Sequence, residues 1–195
     1  RVSVVGDFNA WDGRCHAMHR MPMSGIFELF IPGVKAGDIY KYELKLKGNR
    51  IELKSDPYAA CTEVPPANAS VVTDTSTFQW EDEIWMKERK KFSDRKQPIS
   101  IYETSLTEWK DATELADFVK KLNYTHVELH PVMEYLDDEA GEYSTFAYYA
   151  PTRRFGTPED FQKVVNELHK AGIGLILDWT PSHFPRVEGG LELFD

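Results

Sequence analysis

Cysteine is scarce in this chain. Two are present among 195 residues, Cys15 and Cys61, far apart in sequence and in no C-x-x-C arrangement. That spacing excludes a local redox dithiol, and two free thiols in a reducing cytoplasm are the expectation. No apolar run is long enough to span a bilayer, so no membrane association is expected, and no secretory leader is recognisable. Positive charge is in deficit: 23 Lys and Arg against 32 Asp and Glu leave a net −9, which argues against nucleic acid as the main partner. Internal repeats and low-complexity tracts are absent too. Asn68-Ala69-Ser70 fits a glycosylation sequon, which carries little weight without a secretory context.

What remains is ordinary globular material, 42% apolar and 28% charged, enough for one or two domains with a real core. The charge is unevenly placed: 15 basic and 14 acidic residues up to Gln97, against 8 and 18 from Pro98 onward. The pattern changes along with the charge. Up to residue 61, short strands alternate with turns: Val2 to Val5, Ile26 to Ile31, then Tyr40, Tyr42, Leu44 and Leu46 alternating with polar residues. Gly48-Asn49 reads as a two-residue hairpin turn into a strand over Arg50 to Lys54. These features predict a small all-β sandwich over 1–61. Residues 62–97 lose periodicity around Pro65-Pro66 and a charge-dense stretch containing Trp80, Trp85 and Met86, and read as a connector with short helix docked through its aromatics.

From 98 to 195 the pattern is strand, helix, strand, helix, strand. Ile99 to Leu106 is the first strand. Leu115, Phe118, Val119 and Leu122 mark a helix with Asp111 and Glu114 spaced as a capping box. His126 to His130 is the second strand. Thr157, Pro158 and Asp160 then open a second helix with Phe161, Val164, Val165 and Leu168 on one face, and Gly172 closes it. Ile173 to Leu177 reads as a strand buried on both faces. This order implies a parallel sheet with crossover helices. A closed (β/α)₈ barrel needs eight strands and about 250 residues, so the expectation is a multi-domain chain: the sandwich, then the first three strands and two helices of a TIM barrel, in a piece of a longer protein. Asp178 to His183 directly follow the third strand, where such barrels carry chemistry.

Ala150-Pro-Thr-Arg-Arg-Phe-Gly-Thr-Pro-Glu-Asp-Phe161 and Ala171-Gly-Ile-Gly-Leu-Ile-Leu-Asp178-Trp-Thr-Pro-Ser-His183-Phe-Pro185 resemble the start of the catalytic barrel of bacterial glycogen branching enzymes, in the α-amylase superfamily. Gly6-Asp-Phe-Asn-Ala-Trp11, with Lys41-Tyr42 and Ser55-Asp-Pro57, resembles the carbohydrate-binding module that precedes that barrel. The resemblance implies α-1,4-glucan as partner and a glycogen-branching transferase activity, with no cofactor and no metal. Asp178 would order the site, His183 would donate to sugar hydroxyls at the cleavage subsite, and Tyr143 would stack under the sugar. Nucleophile and acid/base would follow strands four and five, beyond Asp195, so these 195 residues alone are expected to be inactive.

Several readings stay open. Trp11 either stacks on glucan, with Lys41 beside it, or packs over the sandwich edge, because Leu53 replaces a second expected aromatic. Gly141-Glu142-Tyr143-Ser144 departs from the family's Trp-Gly-Tyr-Gln, Tyr135 stands where the family has histidine, and Ser182 replaces glycine. A non-catalytic glucan-binding paralogue, or a related debranching or trehalose-releasing hydrolase, are the alternatives. His126-x-Glu128-x-His130 would put three side chains on one strand face but has no fourth ligand nearby. His16 and His19 read as surface turn residues, and Gly172-Ile173-Gly174 precedes a strand, which excludes a dinucleotide fingerprint.

Overall fold

A computed structural model describes residues 1–93 and 97–192. The chain divides into two compact units: Arg1–Asp74 with Met133–Arg153 and the segment from Pro181, and Thr75–Val132 with Arg154–Thr180. The stretch 62–97 read as a connector is therefore divided at 74/75. Its first part pairs with the antiparallel sheet, and its second part folds onto a helix of the other unit.

The first unit is built on β4 (Ile39–Lys45), which pairs antiparallel with β1 (Val2–Gly6), β5 (Ile51–Lys54) and β6 (Ser70–Val71). β2 (His19–Arg20) and β3 (Phe27–Glu28) form a separate two-stranded ladder. The strand expected over 26–31 is thus only two residues long. Pro22 has no amide to donate, and the ladder closes at Met21, whose N–H meets the Ile26 carbonyl at 2.8 Å. The β4–β5 turn has three residues, Lys47–Asn49, closed by Leu46 N–H to Arg50 O at 2.8 Å. Gly48 (φ 73°) and Asn49 (φ 61°) take the left-handed conformations that favour these residue types.

β4 is the half-buried antiparallel strand expected, with one departure from its alternation. Glu43 is the buried member of the strand, while Leu46 is exposed and Tyr42 and Leu44 half-buried. Gly13 lies so close to the Glu43 carboxylate that a Cβ there would fall 2.1 Å from it, and Arg1 bridges Glu43 at 3.1 Å. Tyr42 and Leu44 instead line an apolar groove with Val2, Met18, Ile26 and Phe27. His16 is half-buried and bonded to Asn9 at 2.8 Å, which makes it part of the Gly6–Trp11 turn, and His19 lies in β2.

Later in the chain, β9 (Met133–Tyr135) and β10 (Thr145–Pro151) pair antiparallel with two register shifts, and Phe146, Ala147 and Ala150 are buried. Both free cysteines belong to the first unit, Cys15 exposed and Cys61 buried. The sequon is folded in: Ala69 and Ser70 are buried, and the Asn68 side chain is occupied by hydrogen bonds.

In the second unit, β7 (Ile101–Thr104), β8 (His126–Leu129) and β11 (Gly174–Leu177) are parallel, with β8 central. Ile101, His126 and Gly174 stand in register. α3 (Ala112–Lys121) and α4 (Pro158–Lys170) supply Leu115, Val119 and Leu168 to a core with Val127, Leu129 and Ile173. α4 starts at the expected Thr157 cap and goes further, forming a capping box: Asp160 N–H donates to Thr157 Oγ1, and Thr157 N–H to Asp160 Oδ2. Its end is a Schellman motif, with Gly172 at φ 79° and Ile173 N–H reaching the Leu168 carbonyl at 2.9 Å. α3 closes its cap differently, since Glu114 accepts from Lys110 N–H, one residue before the Asp111 cap.

β11 departs from expectation: Leu177 is 41% exposed. Among the described residues β11 is an edge strand of the sheet, with β8 as its neighbour. α1 (Glu83–Glu88) and α2 (Lys90–Ser93) precede β7. Trp85 of α1 stacks on His169 at 5.1 Å, Asp82 bonds His169 at 2.8 Å, and buried Asn166 accepts from Glu81 N–H. The aromatic docking expected for this stretch is therefore anchored on α4 through polar groups.

Candidate functional site

Asp178 is the first residue past β11. Its N–H still continues the parallel ladder, donating to Leu129 O at 3.0 Å, so its carboxylate starts where the strand stops. Asp178 is half-buried and Trp179 is 56% exposed. A carboxylate fixed by backbone at the carboxyl end of a parallel strand can order donors and accept from sugar hydroxyls without itself being consumed.

His183 and Tyr143 belong to the other unit. His183 is exposed and has φ 66°, a left-handed conformation that a non-glycine residue keeps when its surroundings hold it there. Tyr143 is 45% exposed in a turn shaped by Asp137, whose carboxylate accepts from Glu139 N–H and whose carbonyl accepts from Gly141 N–H. Tyr135 lies in β9 opposite Thr145.

Trp11 follows Ala10 in a second consecutive left-handed residue (φ 51° and 59°), and its Nε1 donates to Asp7 Oδ1 at 2.8 Å. Asn9 locks this turn by accepting from Gly6 N–H and donating to Val4 O. The indole is left 37% exposed on a rigid support. Lys41 is differently committed: its Nζ donates to Asn68 Oδ1, and burial holds its pKa below the usual lysine value.

Sequence reasoning missed Glu134. This carboxylate is fully buried in β9 and accepts from Thr152 Oγ1 (2.8 Å), Arg153 N–H (2.7 Å), Tyr135 N–H (3.1 Å) and Thr62 Oγ1 (3.3 Å). Burying a carboxylate is costly unless donors surround it. Here they come from β9 itself, the end of β10 and the segment preceding β6. The available signal was a lone Glu beside apolar residues in Val132-Met133-Glu134-Tyr135, a run too short to show a period. Among the described residues no three His, Cys, Asp or Glu side chains are grouped as metal ligands. His126, of the strand-face triplet, packs instead against Phe92 and Trp85.

An antiparallel β module leading into a parallel βαβαβ unit, with a carboxylate set just past the third strand, defines a class: modular α/β proteins with a β domain ahead of a parallel sheet. The chain belongs to the alpha-amylase catalytic-domain family, whose model matches residues 76–188, and carbohydrate-binding module 48 (isoamylase N-terminal domain) matches residues 1–59. Over its whole length it is 46% identical to 1,4-alpha-glucan branching enzyme GlgB of Nitrosococcus oceani and 46% identical to that of Cellvibrio japonicus. The chain spans 28% of the length of each of these relatives. Among solved structures it resembles a Salmonella typhimurium protein assigned as an alpha amylase (TM-score 0.72, 21% identity, 97% of this chain and 30% of that one). It also resembles a maltotriose-bound pullulanase from Anoxybacillus (TM-score 0.63, 16% identity, 91% and 30%). At these identities the structural likeness bears on the fold.

Proposed function

We propose that the complete protein carrying this sequence is a 1,4-α-glucan branching enzyme. It cleaves an α-1,4 bond, holds the cut chain as a glycosyl-enzyme, and transfers it to a glucose 6-hydroxyl in the cytoplasm. The observation that carries the reading is the 46% identity to branching enzymes along the whole chain, including the Asp178-to-Pro185 segment that follows β11. In this reading the parallel sheet is completed to an eight-stranded barrel. Two carboxylates outside these residues, about 5–5.5 Å apart in retaining enzymes, perform the displacement. Asp178 orders the site, His183 donates to a sugar hydroxyl, and Tyr143 offers its ring face to the sugar. Trp11, exposed on its rigid turn, is the module's glucan contact. Lys41 contributes through Asn68 more than by direct contact.

A non-catalytic glucan-binding role is the second reading. The altered loop around Tyr143 favours it, because Glu142 and Ser144 replace the neighbours that the family places there. Iodine staining of amylose, with reducing ends measured alongside, separates the two. Branching lowers the stain while reducing ends stay nearly constant. Rising reducing ends would indicate a hydrolase, and no change in either would favour the binding role.

A further inference from the structure

The segment after His183 is held by the antiparallel sheet of the first unit, through residues that no sugar-binding role explains. Lys54, the last residue of β5, is 5% exposed, an unusual state for lysine. Its ammonium has three donors, and three acceptors surround it: Glu192 O at 2.6 Å, Gly190 O at 3.4 Å and Glu52 Oε2 at 4.0 Å. The next residue continues the attachment, with Ser55 N–H donating to Gly189 O at 3.0 Å. Asn68 adds a third tie, its Nδ2 donating to Glu188 O at 2.8 Å while its Oδ1 accepts from Lys41. Gly189 (φ 81°) and Gly190 are both buried, and a Cβ at Gly189 would sit 3.4 Å from Asn68 Nδ2 and Ser55 Oγ. The turn is thus shaped to fit this anchor.

We propose that Lys54 and Asn68 are positioning residues. By binding the backbone of 188–192 they fix the segment that carries His183 in its left-handed conformation, so the sheet of the carbohydrate-binding module serves as a scaffold for a substrate-contacting loop. Lys41 then acts by orienting Asn68, which accounts for its half-buried state. The role in turnover rests on the branching-enzyme reading; the anchoring does not.

Two variants of the complete protein test this, Lys54→Met, which keeps the aliphatic stem, and Asn68→Ala. Amide hydrogen exchange and glucan-transfer kinetics are measured on each. The expected result is at least tenfold faster exchange over 183–192 with β1 and β4 unchanged, and kcat at least fivefold lower with KM within twofold. Unchanged exchange over 183–192 in both variants would overturn the anchor. Equal acceleration throughout β1 and β4 would reduce the residues to general stability, and faster exchange with undiminished kcat would overturn the positioning role. A wild-type protein without transfer activity would remove the role in turnover together with the functional reading, and the exchange data would then decide the anchoring alone.

Discussion

Each residue of the candidate site makes a different physical demand. A buried sugar hydroxyl left without its partner costs about 1–3 kcal/mol, and a contact that tightens in the transition state appears in rate. In the complete protein, His183→Ala and Tyr143→Ala should each lower turnover at least tenfold while the thermal midpoint stays nearly constant, because both side chains are exposed. Full activity in Tyr143→Ala would show that its loop has left the subsite. Glu134 makes the opposite prediction. Its carboxylate accepts from Thr62, Tyr135, Thr152 and Arg153 inside the protein, and an amide nitrogen in place of one oxygen would face donors with a donor. Glu134→Gln should therefore destabilise by about 1–3 kcal/mol, measured by denaturant unfolding. An unchanged midpoint would mean that the side chain rotates to restore its bonds. Asp178, His183 and Tyr143 stand out in the sequence because the motifs that propose them are local. Glu134 and Lys54 do not, since buried ionic groups are recognised by partners that sequence spacing does not reveal.

The helices were the most legible elements, because capping chemistry and the 3.6-residue period are local. Thr157 caps α4 as expected, and Asp160 returns the bond to its backbone. Those bonds, to Thr157 backbone and side chain, hold the Asp160 carboxyl at about 2, below its ordinary 3.8. With a depressed folded-state pKa, the cap's contribution is present above the ordinary carboxylate range and is lost as pH falls through about 2. Thr157→Ala should cost about 1 kcal/mol near neutral pH. The difference between Asp160→Asn and wild type should shrink between about pH 4 and pH 2, as hydrogen exchange in the first turns of α4 would report. A pH-independent difference would show that Asp160 acts without its charge. The strands were less legible for equally physical reasons. Alternation in β4 identified a half-buried antiparallel strand but not the burial of Glu43, which is covered by the Gly13 turn and an ion pair. The two-residue β3 is set by a proline in the turn before it.

At the scale of the whole molecule, the domain plan was readable and its boundaries were not. A change of period and charge near residue 98 separates an antiparallel pattern from a strand–helix–strand pattern in the sequence. The compact units nevertheless divide at 74/75, and residues 133–153 and those from 181 belong with the antiparallel sheet. Attachments such as Lys54 to Glu192, 138 residues apart, leave no local pattern to read. The module in this account is therefore more structural scaffold than sugar trap. Replacing Trp11 by Ala should weaken glycogen retention in affinity electrophoresis by a few-fold, from loss of about 0.5–1.5 kcal/mol of stacking, and leave turnover on soluble amylose unchanged. Loss of turnover in Trp11→Ala would mean that the indole reaches beyond glucan capture. Glucan branching itself is read by proton NMR of amylose incubated with the complete protein, following the anomeric signal of α-1,6 linkages over time. This signal should grow in step with loss of α-1,4 signal, and His183→Ala should slow it at least tenfold. An α-1,4 signal that falls with no α-1,6 signal, or no change at all in the wild type, would contradict glucan branching.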